Sequence, residues 1–503
     1  MSIVPIEKVF VSKTKIKHFK DFQVYFWFCS RISENRLHST MGFHPGQEII
    51  SKERPFSHII NNKFRSTYCD WCIQKRDPNS IQLPKCSACK EVYYCNRDCQ
   101  KQAFKSYHKE ECARLKILAV EFVRDPSDNS AKINDLLIFM GRTIIKAKNG
   151  GDQIVVKLPD ETERRFCDLV SHDKEILQSG TKLISLFKDE KGSSIQQLLG
   201  DVSFEYLLMI YGKLSINQHA IMSPSLEEKI GTGLYIGASA IDHSCSPNAV
   251  YVTKNGKDIS VRAIEKVNKF SDVRICYINV KGDTNTRKKE LKEHYFFDCK
   301  CRLCQDKDQD SLKSSISCPN QSENDEQLFE HCVPLKKGKC IKCGFRIPDE
   351  TISEYLHLKT SITLDPPELD YAKWFLEAID IFHPWDATFF EFAQKCTNNI
   401  KELKKQGDEQ IDEEAFRLLN QTMVTYVEKH FRQFDPIRAD INFQCAMNLY
   451  ESKDSTESLQ LSAKFLQNAM KVREVSHGAD HPHYDLMKRK FYDLIVYLKS
   501  KSE

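Results

Sequence analysis

The sequence lacks any long run of apolar residues. The longest apolar stretch near its start, Phe22–Cys29 (FQVYFWFC), is too short to span a bilayer, which takes about 20 apolar residues. This stretch also lacks the charged, apolar and small-residue order of a secretion signal. We therefore expect a protein of the cytoplasm and nucleus that does not associate with membranes.

A strong imbalance of charge is also absent. The chain has 74 basic and 70 acidic residues and a net charge of +4, whereas a general nucleic-acid binder is usually more basic. Direct binding to nucleic acid is therefore not expected. The hydrophobic fraction of 41% and the charged fraction of 29% fit a soluble globular protein. Its 503 residues are too many for one ordinary core and predict two to four domains.

Cysteine, by contrast, is abundant, with 20 residues. Because the cytosol and nucleus keep thiols reduced, short paired spacings predict zinc sites rather than disulfides. The densest cluster has two CxxC pairs and two ligand pairs at a spacing of four, which puts each of the latter on one face of a helical turn. Eight ligands suffice for two tetrahedral zinc ions, and unrelated buried cysteines or a secreted disulfide framework are the disfavoured alternatives. The eight are Cys69, Cys72, Cys86, Cys89, Cys95, Cys99, His108 and Cys112.

A second group of cysteines lies far from the first. The segment YFFDCKCRLC places Cys299, Cys301 and Cys304 within six residues, and three thiolates need a fourth ligand to close a zinc site. Cys245, an isolated cysteine in the polar loop DHSCSPN, is the candidate. The alternative is that the three are surface cysteines without a metal.

A third group predicts an additional zinc site. Its clear element is the CxxC pair Cys340 and Cys343, to which Cys318 and Cys332 are the assigned partners. His331 competes with Cys332 for the fourth position. The remaining cysteines have no local partners and are expected to be small core residues; they are Cys29, Cys167, Cys276, Cys396 and Cys445.

The order of the eight ligands between 69 and 112 resembles a MYND zinc finger. That resemblance implies interleaved pairing, with Cys69, Cys72, Cys95 and Cys99 on one ion and Cys86, Cys89, His108 and Cys112 on the other. A module of this kind has almost no core of its own. Metal binding would therefore supply most of its folding free energy.

The segments on both sides of the finger resemble a SET domain. Five stretches carry the likeness: FHPGQEIISKERPF, YGKLSINQHAI, GTGLYIGASAIDHSCSPNAVYV, DVRICYIN and the three-cysteine segment. Together with the finger they are similar to the SMYD family, whose SET domain is split by a MYND finger. The likeness covers roughly residues 1 to 305.

The resemblance implies a protein-lysine N-methyltransferase that uses S-adenosyl-L-methionine on histone or non-histone proteins. Tyr277 would be the catalytic tyrosine that orients the reacting groups. A MYND finger would also bind proline-rich peptides of partner proteins, and the protein is expected to be a monomer. The implied cofactor-binding residues are Asn35, Asn217, Ser239, Asp242, His243, Tyr277, Tyr295 and Phe297.

The chemistry of such an enzyme explains these residue types. Since the methyl group is activated by its cofactor, the protein mainly positions the reactants and removes water. The lysine must be neutral to attack, and an aromatic, desolvated channel lowers its pKa. A zinc ion held by Cys245 and the three later cysteines would bring Tyr295 and Phe297 over the pocket. That zinc is predicted to be structural and yet required for activity.

Some residues depart from the pattern of the family. Glu34 and Arg36 flank Asn35 where small glycines are usual, Asp242 replaces an asparagine, and His219 lies where an apolar channel aromatic is common. These departures sustain a rival hypothesis, a catalytically weak or inactive scaffold that binds partners through its finger and helices. A zinc hydrolase or deaminase is disfavoured, because neither HExxH nor the HxE and PCxxC pair is present.

The predicted fold class is α+β, with a β-rich SET domain, its inserted finger, a post-SET zinc site and an all-α, tetratricopeptide-like C-terminal domain. Periodic apolar residues predict the C-terminal helices, with Gly478 as a helix stop and Pro482 as a helix start. The boundaries are 1–62 and 201–290 for the SET halves, 63–112 for the finger, 113–200 for a helical insert, 291–305 for the post-SET segment, 306–347 for a linker with the extra zinc cluster, and 348–503 for the helical domain.

Overall fold

The computed structural model of the protein contains two compact units. One is built from residues within 41–310 and 412–503, and the other includes residues 311–411. The described residues are 42–77, 83–121, 128–180, 199–200, 202–226, 228–254, 256–280, 282–320, 330–364, 371–405, 413–452 and 455–502.

In the described residues, the β part of the first unit consists of two antiparallel sheets of three strands and one short hairpin. The strands are β1 (Glu48–Glu53), β2 (Ser57–Ile60), β3 (Val156–Lys157), β4 (Glu163–Arg164), β5 (Gln218–Met222), β6 (Lys229–Leu234), β7 (Ala249–Thr253) and β8 (Ile259–Ala263). One sheet has the order β1-β8-β7 and the other β2-β6-β5, while β3 pairs with β4. The turn at Gly46 (φ 88°) precedes β1, as the Pro45-Gly46 pair predicts.

The central strand of the second sheet depends on a glycine. Gly231 in β6 lies opposite Ile60 of β2 and Ile221 of β5. A Cβ atom at this position would lie 2.4 Å from the carbonyl oxygen of Ile59. Any larger residue would therefore force the neighbouring backbone away and open the sheet.

Within the described residues before the C-terminal region, six helices accompany the sheets. They are α1 (Arg97–Ala103), α2 (Lys109–Glu121), α3 (Asp128–Lys148), α4 (Asp173–Gln178), α5 (Phe204–Asn217) and α6 (Thr284–Tyr295). Helix α3 buries Leu137, Phe139 and Ile144 in one core cluster with Phe56 of the loop before β2 and Leu207 of α5. The helical insert and the SET-like sheets thus share a hydrophobic core.

The C-terminal helices of the first unit fulfil the predictions from apolar periodicity. Two short helices, α7 (Arg302–Gln305) and α8 (Lys307–Ser311), precede the helices of the last third of the chain. Gly478 (φ 98°) ends the penultimate helix, and Pro482 begins the last one. His481 places its Nε2 atom 3.1 Å from the backbone oxygen of Thr253, which fixes the start of the last helix to β7. These helices are α12 (Glu413–His430), α13 (Pro436–Ser452), α14 (Thr456–His477) and α15 (Pro482–Ser502).

The described part of the second unit combines a hairpin with three helices. The hairpin is β9 (Ser315–Ser317) and β10 (Cys332–Pro334), and the helices are α9 (Asp349–Leu364), α10 (Tyr371–Ile379) and α11 (Ala387–Lys405). The buried carboxylate of Asp386 accepts hydrogen bonds from the backbone of Ser315 and Phe389 and from the Tyr355 hydroxyl. One side chain thus caps α11 and connects it to the hairpin and α9.

The predicted α+β class with a helical C-terminal region is confirmed. The helices of the predicted segment 348–503 lie in both units, since α9 to α11 belong to the second and α12 to α15 to the first. Within the parts of the chain that the structure describes, no helix is long and apolar enough to cross a bilayer.

Candidate functional site

The finger brings its eight predicted ligands together in two groups of four. In each group all ligand atoms lie within 4.8 Å of one another. A tetrahedral site with zinc–sulfur bonds of about 2.3 Å would separate its sulfur atoms by about 3.8 Å. The Sγ atoms of Cys95 and Cys99 are 3.4 Å apart, and those of Cys86 and Cys112 are 3.9 Å apart, so the donor set fits zinc. The groups are Cys69, Cys72, Cys95 and Cys99, and Cys86, Cys89, His108 and Cys112.

His108 reaches its group through one π-helical turn, Phe104–His108, between α1 and α2. Its Nε2 atom lies 3.8 Å from Cys89 Sγ, and its Nδ1 atom lies 2.9 Å from a carboxylate oxygen of Glu111. The carboxylate therefore holds the tautomer in which Nδ1 carries the proton and Nε2 can bind a metal.

A buried arginine connects this carboxylate to the rest of the unit. Arg142 of α3 is 2% exposed and donates to Glu111 (2.8 and 3.0 Å), to the Asp70 carboxylate (2.9 Å) and to the backbone oxygen of His58 (3.1 Å). Burial opposes ionisation of Glu111, but the charge of Arg142 and the bond to His108 outweigh it and lower its pKa to about 2. The finger is thus fixed to α3 and β2 by one ion network that no sequence motif indicates.

The post-SET segment meets Cys245 as predicted from its isolation. The Sγ atom of Cys245 lies 3.6 Å from that of Cys304 and 4.0 Å from that of Cys299, and all four cysteines, including Cys301, have their sulfur atoms within 4.8 Å. These separations also fit a tetrahedral zinc ion. The buried guanidinium of Arg287 lies 3.9 Å from Cys304 Sγ, where its charge would stabilise the thiolates.

The third predicted group has a different fourth ligand. The atoms that lie within 4.8 Å of one another belong to Cys318, His331, Cys340 and Cys343. His331 therefore replaces Cys332, whose side chain is fully buried where β10 pairs with Ser317 of β9. Adjacent side chains of an extended segment point to opposite faces, so only one of the two neighbours can reach the cluster.

Two segments cross beside the post-SET cysteines. The backbone N–H of Ile275 donates to the oxygen of Asp242 (3.1 Å), and the N–H of Ser244 donates to the oxygen of Ile275 (2.9 Å). The N–H of Tyr277 donates to Nδ1 of His243 at 3.0 Å. Because a backbone N–H can only donate, the proton of the His243 ring lies on Nε2, 3.2 Å from Cys245 Sγ. His243 thus connects the cysteine cluster to the strand of Tyr277.

A cavity of about 450 Å³ opens at this crossing. Tyr277 is central to it, with its ring centroid 5.2 Å from that of His243 and 5.0 Å from that of Tyr295. The Tyr277 hydroxyl donates to the backbone oxygen of Ile241 (2.6 Å), and burial raises its pKa well above the ordinary value. Burial likewise raises the pKa of Tyr295 to about 12. Both hydroxyl groups therefore remain protonated and act as dipoles rather than bases.

All predicted cofactor residues that lie in the described chain border this cavity, and Asn35 lies outside the described residues. The bordering residues are Asn217, Ser239, Asp242, His243, Tyr277, Tyr295 and Phe297. Asp242 is 80% exposed at the mouth. The Ser239 hydroxyl lies within hydrogen-bonding distance of the backbone oxygens of Tyr235 and Asn217.

Asn217 has a role that the sequence did not show. Its amide nitrogen donates to the backbone oxygens of Val170 and Lys213, both at 2.8 Å. Lys213 in turn donates to the backbone oxygens of Phe166, Cys167 and Leu169. Helix α5 therefore holds the loop that forms one wall of the cavity, and Asn217 keeps only its amide oxygen for a ligand.

Two further cavity residues were not assigned to the site from the sequence. Arg164 lines the cavity, and its Nε atom is buried without a hydrogen-bond partner in the described part of the chain. Tyr251 of β7 lines the same cavity. Neither residue stands out in the sequence, because each becomes part of the site only through the packing of distant segments.

Comparisons with known proteins agree with this arrangement. Residues 69–112 match the MYND finger family. The chain is 30% identical to Histone-lysine N-methyltransferase ASHR1 of Arabidopsis thaliana over 314 residues, 61% of either chain. It is 28% identical to Histone-lysine N-methyltransferase SMYD3 of Homo sapiens over 315 residues, which are 62% of this chain and 67% of that protein. It is 23% identical to N-lysine methyltransferase SMYD2 of Homo sapiens over 467 residues, 92% of this chain and 96% of that protein.

The MYND finger lies between sheet-forming segments, next to a crossing joined to a four-cysteine cluster, and helices follow at the C-terminal end. This arrangement is consistent with that of proteins with SET and MYND domains. The match to ASHR1 spans less than two thirds of that relative, whereas the match to SMYD2 spans nearly the whole of both chains. The chain is therefore similar to proteins of the SMYD family.

Proposed function

We propose that this protein is a protein-lysine N-methyltransferase that uses S-adenosyl-L-methionine and acts on histone or non-histone proteins. The relatives named as lysine methyltransferases support the reaction class. The observation that carries the proposal is the cavity where Tyr277, Tyr295 and Phe297 meet the crossing next to the four-cysteine cluster. Its volume of about 450 Å³ lies in the range of small-molecule sites.

The residues of the cavity fit the charged groups of this cofactor. Arg164, with its buried and unpartnered Nε atom among the described residues, suits the cofactor carboxylate. The exposed carboxylate of Asp242 and the amide oxygen of Asn217 accept hydrogen bonds and suit its ammonium group. The ring of Phe297 offers an apolar face for the adenine. When bound, the cofactor supplies the activated methyl group.

The residues of this chain would prepare the attacking lysine. An ammonium group is disfavoured in a channel of aromatic side chains, so the pKa of the incoming lysine falls and the neutral amine forms. The Tyr277 hydroxyl is fixed by its hydrogen bond to Ile241 and presents a protonated dipole to the reacting groups. The Tyr295 hydroxyl, 3.2 Å from the backbone oxygen of Tyr277, holds the two rings together.

We also propose that zinc occupies all four ligand groups and that its role is structural. Each group has four ligand side chains, which leaves no open position for a reacting water. The zinc on Cys245, Cys299, Cys301 and Cys304 would hold Tyr295 and Phe297 over the cavity, since both rings immediately precede this cluster. Removal of this zinc ion should therefore abolish cofactor binding, although the ion itself takes no part in the chemistry.

A substitution of Tyr277 tests the proposed reaction. Tyr277→Phe removes one hydroxyl in the cavity and should lower methyl transfer about a hundredfold, as the loss of one oriented dipole does at other active sites. The assay follows tritium from labelled S-adenosylmethionine into a protein extract, and equal zinc content and melting temperature show that the fold is intact. The matched control is Tyr492→Phe, because Tyr492 is 53% exposed on α15. Full activity in Tyr277→Phe would contradict the assigned role.

One surface feature supports a second function for the finger. Phe104 is 49% exposed in the π-helical turn, where an aromatic ring is available to a partner. We propose that the finger binds proline-rich peptides here and that the protein works as a monomer in the cytoplasm and nucleus. Phe104→Ala should weaken binding of a proline-rich peptide in a fluorescence titration while leaving methyl transfer unchanged. Equal affinity of both proteins would refute the peptide site.

A further inference from the structure

A second cavity lies between the finger and the sheets. Its volume is about 630 Å³, within the range of small-molecule sites, and we call it the finger cavity. The finger contributes Trp71 and Tyr107 to its wall, and the loop before β2 contributes Phe56. Among the described residues, none borders both this cavity and the one that contains Tyr277. The two cavities are therefore separate spaces.

The wall of the finger cavity has an excess of positive charge. Arg54, Lys146 and Lys257 border it, and none of the three forms an ion pair within the described residues. The two carboxylates of the wall are already engaged. Glu53 accepts hydrogen bonds from two backbone N–H groups at 2.7 and 2.8 Å, and Asp258 lies 3.5 Å from a lysine ammonium outside the wall. This excess of unpaired cations favours an anionic ligand.

Aromatic rings hold one of these cations in place. The Nζ atom of Lys257 lies 3.7 Å from the centroid of the Trp71 ring. That ring stacks on Tyr107, with a centroid distance of 6.1 Å and an interplanar angle of 30°. The Cζ atom of Arg142 lies 4.4 Å from the centroid of the Tyr107 ring. The ammonium group of Lys257 is thus positioned before a ligand binds, which lowers the entropic cost of binding.

A buried histidine adds a hydrogen-bond acceptor to the same wall. His58 is 4% exposed, and its Nε2 atom lies 2.8 Å from the backbone oxygen of Asp70. Because that oxygen can only accept, the ring proton lies on Nε2. Burial, together with the charges of Lys257 and Arg142, lowers the pKa of His58 to about 3, so the ring is neutral and Nδ1 is an acceptor.

This Nδ1 atom is open to a ligand. No hydrogen bond joins it to any described residue, yet it is not among the unpaired atoms that are shielded from water. The ring of His58 borders the finger cavity, so the free acceptor faces that space. Since acceptors in buried side chains are rarely left unpaired, this atom indicates a ligand with an O–H group.

We propose that the finger cavity binds a small phosphorylated polyol, either free or as the headgroup of a lipid. A phosphate monoester concentrates about 1.5 to 2 negative charges in one group, so it can meet more than one of Arg54, Lys146 and Lys257. A carboxylate brings only one charge. A hydroxyl group of the polyol would donate to Nδ1 of His58. The proposal concerns binding alone and does not depend on methyl transfer.

Calorimetric titration of the zinc-loaded, full-length protein tests the chemistry of the ligand. The probes are glycerol phosphate, ribose phosphate and inositol monophosphate, and methyl phosphate is the probe without a hydroxyl group. At least one polyol phosphate should bind about tenfold more tightly than methyl phosphate, because only the polyol can donate to His58. Co-sedimentation with phosphatidylcholine vesicles, with and without phosphatidylinositol phosphate, distinguishes a lipid headgroup from a free ligand.

Substitutions test the place of binding. Lys146→Gln and Arg54→Gln each remove one cation and should weaken binding of the polyol phosphate about tenfold. The matched control is Lys148→Gln, because Lys148 is exposed on the same helix as Lys146 and lies outside the cavity wall. This control should bind as the wild type does. Equal zinc content and melting temperature show that each variant is folded.

Four results would overturn the inference. The first is a wild type that binds none of the three polyol phosphates at millimolar concentration, and the second is equal affinity for methyl phosphate and the polyol phosphates. The third is equal affinity of the wild type, Lys146→Gln and Arg54→Gln. The fourth is displacement of the probe by S-adenosylhomocysteine, since the probe would then occupy the other cavity. None of these results would change the evidence for methyl transfer.

Discussion

The ion network around Arg142 gives the most specific prediction about stability. Arg142→Met keeps the length of the side chain and removes its charge. The substitution leaves the carboxylates of Asp70 and Glu111 buried, at 3% and 4% exposure, without their cation. Loss of one member of a buried ion pair destabilises a protein by about 3–5 kcal/mol.

The loss of stability in Arg142→Met should appear first in the finger. Glu111 orients His108 through a hydrogen bond to Nδ1. Loss of such a partner of a metal-binding histidine lowers metal affinity by about 10- to 100-fold. Arg142→Met should therefore release zinc from the finger at lower concentrations of urea and chelator than the wild type. A chromogenic zinc indicator measures the release, and the zinc groups outside the finger should retain their metal.

A matched control separates this effect from the loss of any surface charge. Arg97 is exposed on α1, and Arg97→Met should release zinc as the wild type does. Identical zinc release by Arg142→Met and the wild type would refute the view that this arginine fixes the finger to α3 and β2.

Two further predictions concern histidines. His481, which meets Thr253, and His483 are buried, and burial lowers their pKa values to about 4 and about 3. The histidines bind protons near pH 6.5 in the unfolded chain but not in the folded one, so stability to urea should fall from pH 6.5 towards pH 4. The expected loss is up to about 1.4 kcal/mol for each pH unit and each histidine. A urea unfolding midpoint that does not change with pH in this range would contradict the assignment. In the second unit, His331→Ala should lower the zinc content by one ion per chain, whereas Cys332→Ala should not; the opposite result in elemental analysis would restore Cys332 as a ligand.

The sequence predicted those parts of the site that depend on local spacing. The ligands of the finger lie close together in the chain, and Cys245 stood out as an isolated cysteine in a polar loop. His331 and Cys332 are neighbours of similar ligand strength, so only the direction of the strand distinguishes them. Spacing alone could not have made this distinction.

Residues that act through packing of distant segments stayed hidden. Arg142 and Glu111 are separated by 31 positions, and nothing in either segment indicates that they meet. The resemblance assigned Asn217 to the cofactor, but its amide nitrogen is used by the backbone of Val170 and Lys213. Arg164 likewise could be assigned to the cavity only once the position of the loop that α5 holds in place was known.

The most direct test of the account is calorimetric titration with S-adenosylhomocysteine. Cys304→Ser removes one ligand of the four-cysteine cluster, and Cys167→Ser, at an exposed cysteine outside all four groups, is the control. We predict that the wild type and the control bind the compound, whereas Cys304→Ser has one zinc ion fewer and no measurable affinity. A Cys304→Ser protein that lacks this zinc and still binds with the affinity of the wild type would contradict the claim that the cluster holds the cofactor site together.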